Sequence, residues 1–322
     1  MTNPDKLSAG NPISPRQKIE SVRRTYIEQS VARAVGTAME RASWADCRRL
    51  GSLLGLAYFS LGLKRRERAI RNVQLALGFN PVQATRIARR SAQNWGMTTC
   101  EFLHLRGASP CEIRDYIATC DLEPLRLLLS QGRGAILVMA HLGNWEIVGT
   151  RLAQEFSLSC IVRPLSNSTM QEHMSDVRQA SGMSLISKHG AARPSLKALK
   201  AGHALCILPD RHAGDGGALL PLFGHQTRFE TAPARLALMS GAPIVPIFGV
   251  RRAPWLLDGR LQMRMGAPFW VRAEHREERE AAVIEGTRGV IASIEEVVRA
   301  HPDQWSWMLR RWRAEDAADD TV

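Results

Sequence analysis

Long apolar runs are missing from this chain of 322 residues. The longest nearly unbroken one, LGSLLGLAYFSLGL at residues 50–63, falls short of the roughly 20 positions a helix needs to cross a bilayer. No secretory signal is visible either: the opening MTNPDKLSAGNPISPRQK is polar and rich in Pro and Gly, and residues 1–14 read as a disordered leader. The 6 cysteines form no C-x-x-C pair, which removes zinc-ribbon and dithiol redox readings and points to a reducing compartment without disulfides or a metal. Asp210, His212 and Asp215 lie near one another in sequence, yet no Cys or second His stands at ligand spacing. G-x-S-x-G, G-x-G-x-x-G and P-loop patterns are absent, so hydrolase, dinucleotide and NTPase readings lose their usual support. Acidic side chains are in deficit, 31 against 43 Lys and Arg, and the net charge of +12 favours an anionic partner: nucleic acid, an acidic membrane surface or a phosphorylated substrate.

What is present is a large apolar fraction, 45%, enough for a sizeable core and too much for a disordered chain. Residues 15–109 read as helical, with a break at GFNP (residues 78–81) where Pro81 suits a first helical position. Within this region, residues 50–63 carry basic flanks, Arg48 and Arg49 before and KRRER after. They suit either a shallow interfacial helix on anionic headgroups or a buried core helix. From residue 110 to 313 the texture changes to short apolar runs separated by helical stretches, the alternation of an α/β domain. The expected fold is therefore a central, mainly parallel sheet flanked by helices, with a helical N-terminal layer. A helix is expected over residues 274–300, and residues 314–322, AEDAADDTV, read as a disordered acidic tail.

Three runs carry the functional argument: GAILVMA (134–140), SLSCIV (157–162) and ALCIL (204–208). Each is apolar without alternation, as buried parallel strands are, and each ends at a polar residue: His141, Arg163, and Pro209-Asp210-Arg211. APIVPIFGV (242–250) and RLQMRMG (260–266) complete the expected sheet. Ligands of open α/β sheets bind beyond the carboxyl ends of the strands, so these groups should converge. His141 precedes Glu146 in an H-x4-E pattern, which by itself is weak. His225 precedes Glu230 and His275 precedes Glu280 in the same way, where about one match is expected by chance. Context favours His141, because His275 sits in a charged run and His225 in a Gly-flanked loop. Positions five apart on a helix point about 140° away from each other. His141 and Glu146 therefore meet only across a strand-to-helix turn, with Gly143 permitting the turn and Asn144 capping the helix. There Glu146 is expected to hold one imidazole nitrogen, leaving the other as a general base.

With these residues in view, AHLGNWE resembles the H-x4-[DE] signature of glycerolipid-type acyltransferases, in the form carried by the late acyltransferases of lipid A biosynthesis and the related phosphatidylinositol mannoside acyltransferases. The likeness extends to RNVQLALGF (71–79), NWGMTTCEF (94–102), the helix with Arg178, LPDRHAG (208–214), the stretch over 221–246, and HPDQWSWMLRRW (301–312). The resemblance implies His141 and Glu146 as catalytic dyad, with Arg178 and Asp210 as the other polar residues of the site. It also implies an acyl chain moved from an acyl carrier protein or coenzyme A thioester to a sugar or glycerol hydroxyl, without a cofactor. Arg163, Arg178 or Arg211 would anchor phosphate, and Asn144 would line the site. The implied partners are the acyl thioester, a glycolipid acceptor such as a lipid A precursor, and an anionic membrane, at the cytoplasmic face of the inner membrane. Trp305, Trp307 and Trp312 beside Arg310, Arg311 and Arg313 form either an interfacial patch or the closure of the core. A nucleic-acid-binding protein would explain the charge, but no binding module is recognisable and His141 with Glu146 is left without a purpose.

Overall fold

The computed structural model describes residues 35–118, 121–163, 168–313 and 315–316. The chain divides into two compact units, Met1–Ala38 and Met39–Val322; of the first, only residues 35–38 are described, as helix.

Three helices open the second unit. Helix α1 (Trp44–Leu61) starts at Ser43, whose side chain accepts from the Asp46 N–H. Gly62 separates it from α2 (Leu63–Leu77), which ends on Gly78 in the left-handed conformation. Helix α3 (Pro81–His104) begins with a capping box between Asn80 and Gln83 and Pro81 in its first turn, the break expected at residues 78–81. Gly51 and Gly55 of α1 pack directly on Ala92 and Gly96 of α3. A Cβ at Gly55 would stand 2.1 Å from the Ala92 carbonyl oxygen. The apolar run at 50–63 is thus amphipathic. Cys47, Gly51, Gly55 and Phe59 are buried, while Leu53, Leu54 and Leu61 are exposed.

The sheet follows. Helix α4 (Pro110–Tyr116) runs into β1 (Ile117–Ala118), and α5 (Glu123–Ser130) precedes β2 (Ala135–Val138). Then come α6 (Trp145–Ala153), β3 (Leu158–Val162), α7 (Ser168–Ala180), β4 (Ser184–Ser187), α8 (Ala192–Lys200) and β5 (Ala204–Ile207). A hairpin of β6 (Ala218–Leu222) and β7 (His225–Phe229) leads to α9 (Ala232–Ser240), β8 (Ile244–Arg251), β9 (Leu261–Met265) and the long α10 (Arg279–Ala300). The seven-stranded sheet has the order β1-β9-β8-β2-β5-β3-β4 and is parallel except where β9 turns back on β8.

Both faces of the sheet are covered, which is why its central strands are apolar throughout. Ile136, Val138, Leu205, Ile207 and Ile244 point into one core with α2, α3 and α10. Ala135, Leu137, Ala204, Cys206 and Val245 alternate to the other face, against α4 and α6. Because α2 and α3 share a core with the sheet, the boundary expected near residue 110 marks a change of secondary structure and not a division between two bodies. Three further details depart from expectation. The helix expected from residue 274 begins at Arg279, β1 and β4 add an outer strand at each edge, and His225 opens a strand where a loop was expected. The hairpin loop is only Phe223-Gly224, both at positive φ, the geometry of a tight two-residue turn.

Candidate active site

Strands β2 and β5 are neighbours, with Val138 opposite Ile207. Three residues beyond each partner stand His141 and Asp210, so parallel register alone delivers the two side chains to one place. The contact is double. The His141 backbone N–H donates to Asp210 Oδ2 at 3.0 Å, and Nδ1 lies 2.6 Å from Oδ1. Asp210 is fully buried and also accepts from Trp305 Nε1 (2.9 Å) and Arg311 Nη2 (2.9 Å). Burial pushes its carboxyl up, but the adjacent His141 and Arg311 outweigh that and hold it well below the usual carboxylate range. An ionised carboxylate only accepts, so Nδ1 carries the hydrogen and Nε2 faces away from it. The imidazole is partly exposed, and its ring edge approaches Trp145 at 5.0 Å.

This corrects the expectation that Glu146 holds the imidazole. Asp210 has that place. Glu146 lies in the first turn of α6, where Arg178 Nε (3.1 Å) and Nη2 (2.6 Å) grip both its oxygens and Trp145 Nε1 adds a third donor at 3.1 Å. Burial disfavours charge on Arg178, yet Glu146 outweighs it and raises the guanidinium's affinity for its proton. Arg178 is therefore a clamp on Glu146, lying 5.6 Å above the Phe102 ring.

The turn between His141 and Glu146 is pinned at His141, Gly143 and Asn144. The His141 carbonyl accepts from Ser306 N–H (2.9 Å) and the Gly143 N–H donates to the Gln304 carbonyl (3.1 Å). The Gly143 carbonyl accepts from Asn94 (3.0 Å) and Thr98 (2.7 Å). Gly143 has φ +59, and a Cβ there would stand 1.7 Å from the Gly249 carbonyl oxygen; only glycine fits. Asn144 caps α6 through the Ile147 N–H, as expected, but its amide donates to Glu101 at 2.7 Å and the residue is wholly buried. Its polar atoms are thus engaged within the protein.

Glu101 belongs to a buried ionic group under this turn. Arg251 forks onto both its oxygens at 2.7 Å, Tyr116 donates to it at 2.5 Å, and Arg48 donates to the Tyr116 hydroxyl at 3.2 Å. Burial and the Glu101 charge raise the Tyr116 phenol above its ordinary range. Arg48, read from sequence as a headgroup contact, is thus inside the protein. Arg49 remains outside.

Arg163 and Arg211, at the ends of β3 and β5, are both exposed. Burial of its stem and the nearby Arg163 charge lower the Arg211 pKa. The other H-x4-E pairs assemble nothing comparable. His225 bonds the Leu75 carbonyl while Glu230 pairs with Lys188, and Glu280 pairs with Arg235. Among the described residues, no cluster of His, Cys, Asp and Glu is arranged to hold a metal.

At the C-terminus one open alternative is decided and one expectation is corrected. Trp305 and Trp307 are fully buried and edge-packed at 4.7 Å, so they close the core and form no interfacial patch. Arg311, also buried, lies 3.5 Å above the Trp305 ring while bonding Asp210. The acidic tail is ordered at its start, where buried Asp316 meets His212 Nε2 at 2.9 Å. Glu101, Arg251, Trp305 and Arg311 escaped the sequence reading as site residues. The only signal for three of them was membership in NWGMTTCEF and HPDQWSWMLRRW.

Comparison with known proteins places the chain in a family. The family model for bacterial lipid A biosynthesis acyltransferase matches residues 17–314. A phosphatidylinositol mannoside acyltransferase of Mycolicibacterium smegmatis is 23% identical over 218 residues, covering 64% of this chain and 72% of that protein. One of Mycobacterium tuberculosis (strain CDC 1551 / Oshkosh) is 25% identical over 207 residues, covering 60% of this chain and 59% of its own length. With a family match across most of its length and a histidine set at a strand end of an α/β sheet, this chain belongs to the bacterial lipid A biosynthesis acyltransferase family.

Proposed function

We infer that the protein transfers a fatty acyl chain from a thioester of acyl carrier protein or coenzyme A to a hydroxyl of a glycolipid, a lipid A precursor being the first candidate. The observation that carries this reading is the His141–Asp210 pair, which engages Nδ1 and leaves Nε2 free to meet a substrate at the mouth of the sheet. In the reaction, Nε2 takes the proton of the acceptor hydroxyl as its oxygen attacks the thioester carbonyl carbon. The C–S bond then breaks, and the departing thiolate receives the proton from the imidazolium. Asp210 fixes the tautomer and stabilises the imidazolium, while Glu146 holds Arg178 beside the reacting groups. No cofactor enters these steps. The mannoside acceptors named for the mycobacterial relatives favour a second reading, acylation of a phosphatidylinositol mannoside.

The site works at a membrane surface in this reading, the cytoplasmic face of the inner membrane. Among the described residues no helix is long and apolar enough to cross a membrane. The exposed Leu53, Leu54 and Leu61, followed by Arg65 and Arg66, suit a helix lying in an anionic interface. Purified protein is to be incubated with acyl carrier protein and coenzyme A thioesters, each against a lipid A precursor and a phosphatidylinositol mannoside, and the lipids weighed by mass spectrometry. One added acyl chain on either glycolipid supports the reading and selects the acceptor; hydrolysis of the thioester alone contradicts it.

A further inference from the structure

A cavity of about 250 Å³ opens beside the strand-end cluster, and four guanidinium groups line it: Arg65 and Arg68 from α2, Arg211 from the end of β5, and Arg310 from the C-terminal segment. It shares walls with the site. Lining residue Ser306 donates its N–H to the His141 carbonyl, and lining residue Trp95 packs at 5.7 Å on Trp145, the ring beside His141. Two of the arginines are held in place: Arg65 sits 4.8 Å over the Tyr58 ring, and Arg68 donates to the Met308 carbonyl at 3.2 Å. Among the described residues, none of the four forms an ion pair with a carboxylate. Burial and then the charges of Arg310 and Arg65 lower the Arg68 pKa.

Four guanidinium groups gathered in one cavity make a site for an anion carrying more than one negative charge, and their planar forks match phosphate oxygens. The volume is below the roughly 300–1,000 Å³ of pockets for drug-sized ligands, so it suits a headgroup. We propose that this cavity binds a phosphate or diphosphate group of a substrate, placing the hydroxyl or thioester it belongs to next to His141. The assignment of that ligand to the reaction rests on the acyl-transfer reading; the binding itself does not.

The test is calorimetric titration of the purified full-length chain with inorganic pyrophosphate, needing no turnover. Arg65→Gln/Arg310→Gln is expected to weaken binding at least 10-fold, while Arg276→Gln, exposed and outside the cavity, leaves it unchanged. His141→Ala retains pyrophosphate affinity, so failure of the catalytic reading and failure of the cavity are read separately. Competition identifies the source: displacement by coenzyme A assigns the site to the acyl donor, and displacement by a soluble short-chain phosphatidate assigns it to a lipid acceptor. No pyrophosphate binding, binding that the double variant keeps, or binding that neither compound displaces overturns the proposal.

Discussion

Asp210 takes both the backbone N–H and the Nδ1–H of His141, at 3.0 and 2.6 Å, so one carboxylate fixes the histidine's main chain, ring angle and tautomer together. Asp210→Asn offers an amide that can donate to Nδ1 and so favours the tautomer with the proton on Nε2. Turnover is expected to fall by about 10² to 10⁴, the usual contribution of a positioned base. The measurement is kcat of the purified variant, with its fold checked by circular dichroism.

Glu146→Gln acts differently, because Glu146 touches Arg178 and Trp145 and makes no hydrogen bond to His141. The variant loses a charge-assisted bond worth about 1.5–3 kcal/mol, roughly a 10- to 100-fold loss in kcat/KM. Its pH–rate profile is expected to keep the wild-type inflection, whereas Asp210→Asn shifts it. A shift of equal size in both variants would show that Glu146 bears on the imidazole after all.

Gly143→Ala is expected to lower stability by at least about 2 kcal/mol, since it places a side chain at φ +59 and against the Gly249 carbonyl. Urea unfolding followed by tryptophan fluorescence measures this. A Gly132→Ala control, also at positive φ but with open space around it, isolates the backbone part of the cost.

The stability of the fold should carry Asp210's signature in acid. Its carboxyl is held below the ordinary 3.8 when folded, so its stabilising contribution is fully present above that value and is lost as pH falls below it towards the folded pKa. The gap in melting temperature between wild type and Asp210→Asn therefore narrows as pH falls below about 4. A gap that widens in acid would contradict the ion pair.

The central strands were legible because burial on both faces leaves an uninterrupted apolar run, and their carboxyl ends because each run stops at a polar residue. His141 and Asp210 follow from that pattern alone. Which carboxylate meets the imidazole did not, since Glu146 is five residues away and Asp210 is 69, and only strand order decides between them. The edge strand β4, Ser184–Ser187, is short and polar at both ends, and it earned no strand signal. Trp305 was ambiguous for a different reason: a Trp beside arginines reads alike at an interface and in a core, until Arg311 is found buried with its charge spent on Asp210.

The most direct measurement is turnover of His141→Ala with an acyl thioester donor and a glycolipid acceptor, beside His225→Ala and His275→Ala. All three break an H-x4-E pair, but only His141 stands at the strand-end cluster. The account predicts a loss of about 10² to 10⁴ for His141→Ala with its melting temperature close to wild type, and near wild-type rates for the other two. A folded His141→Ala that turns over at the wild-type rate would contradict it.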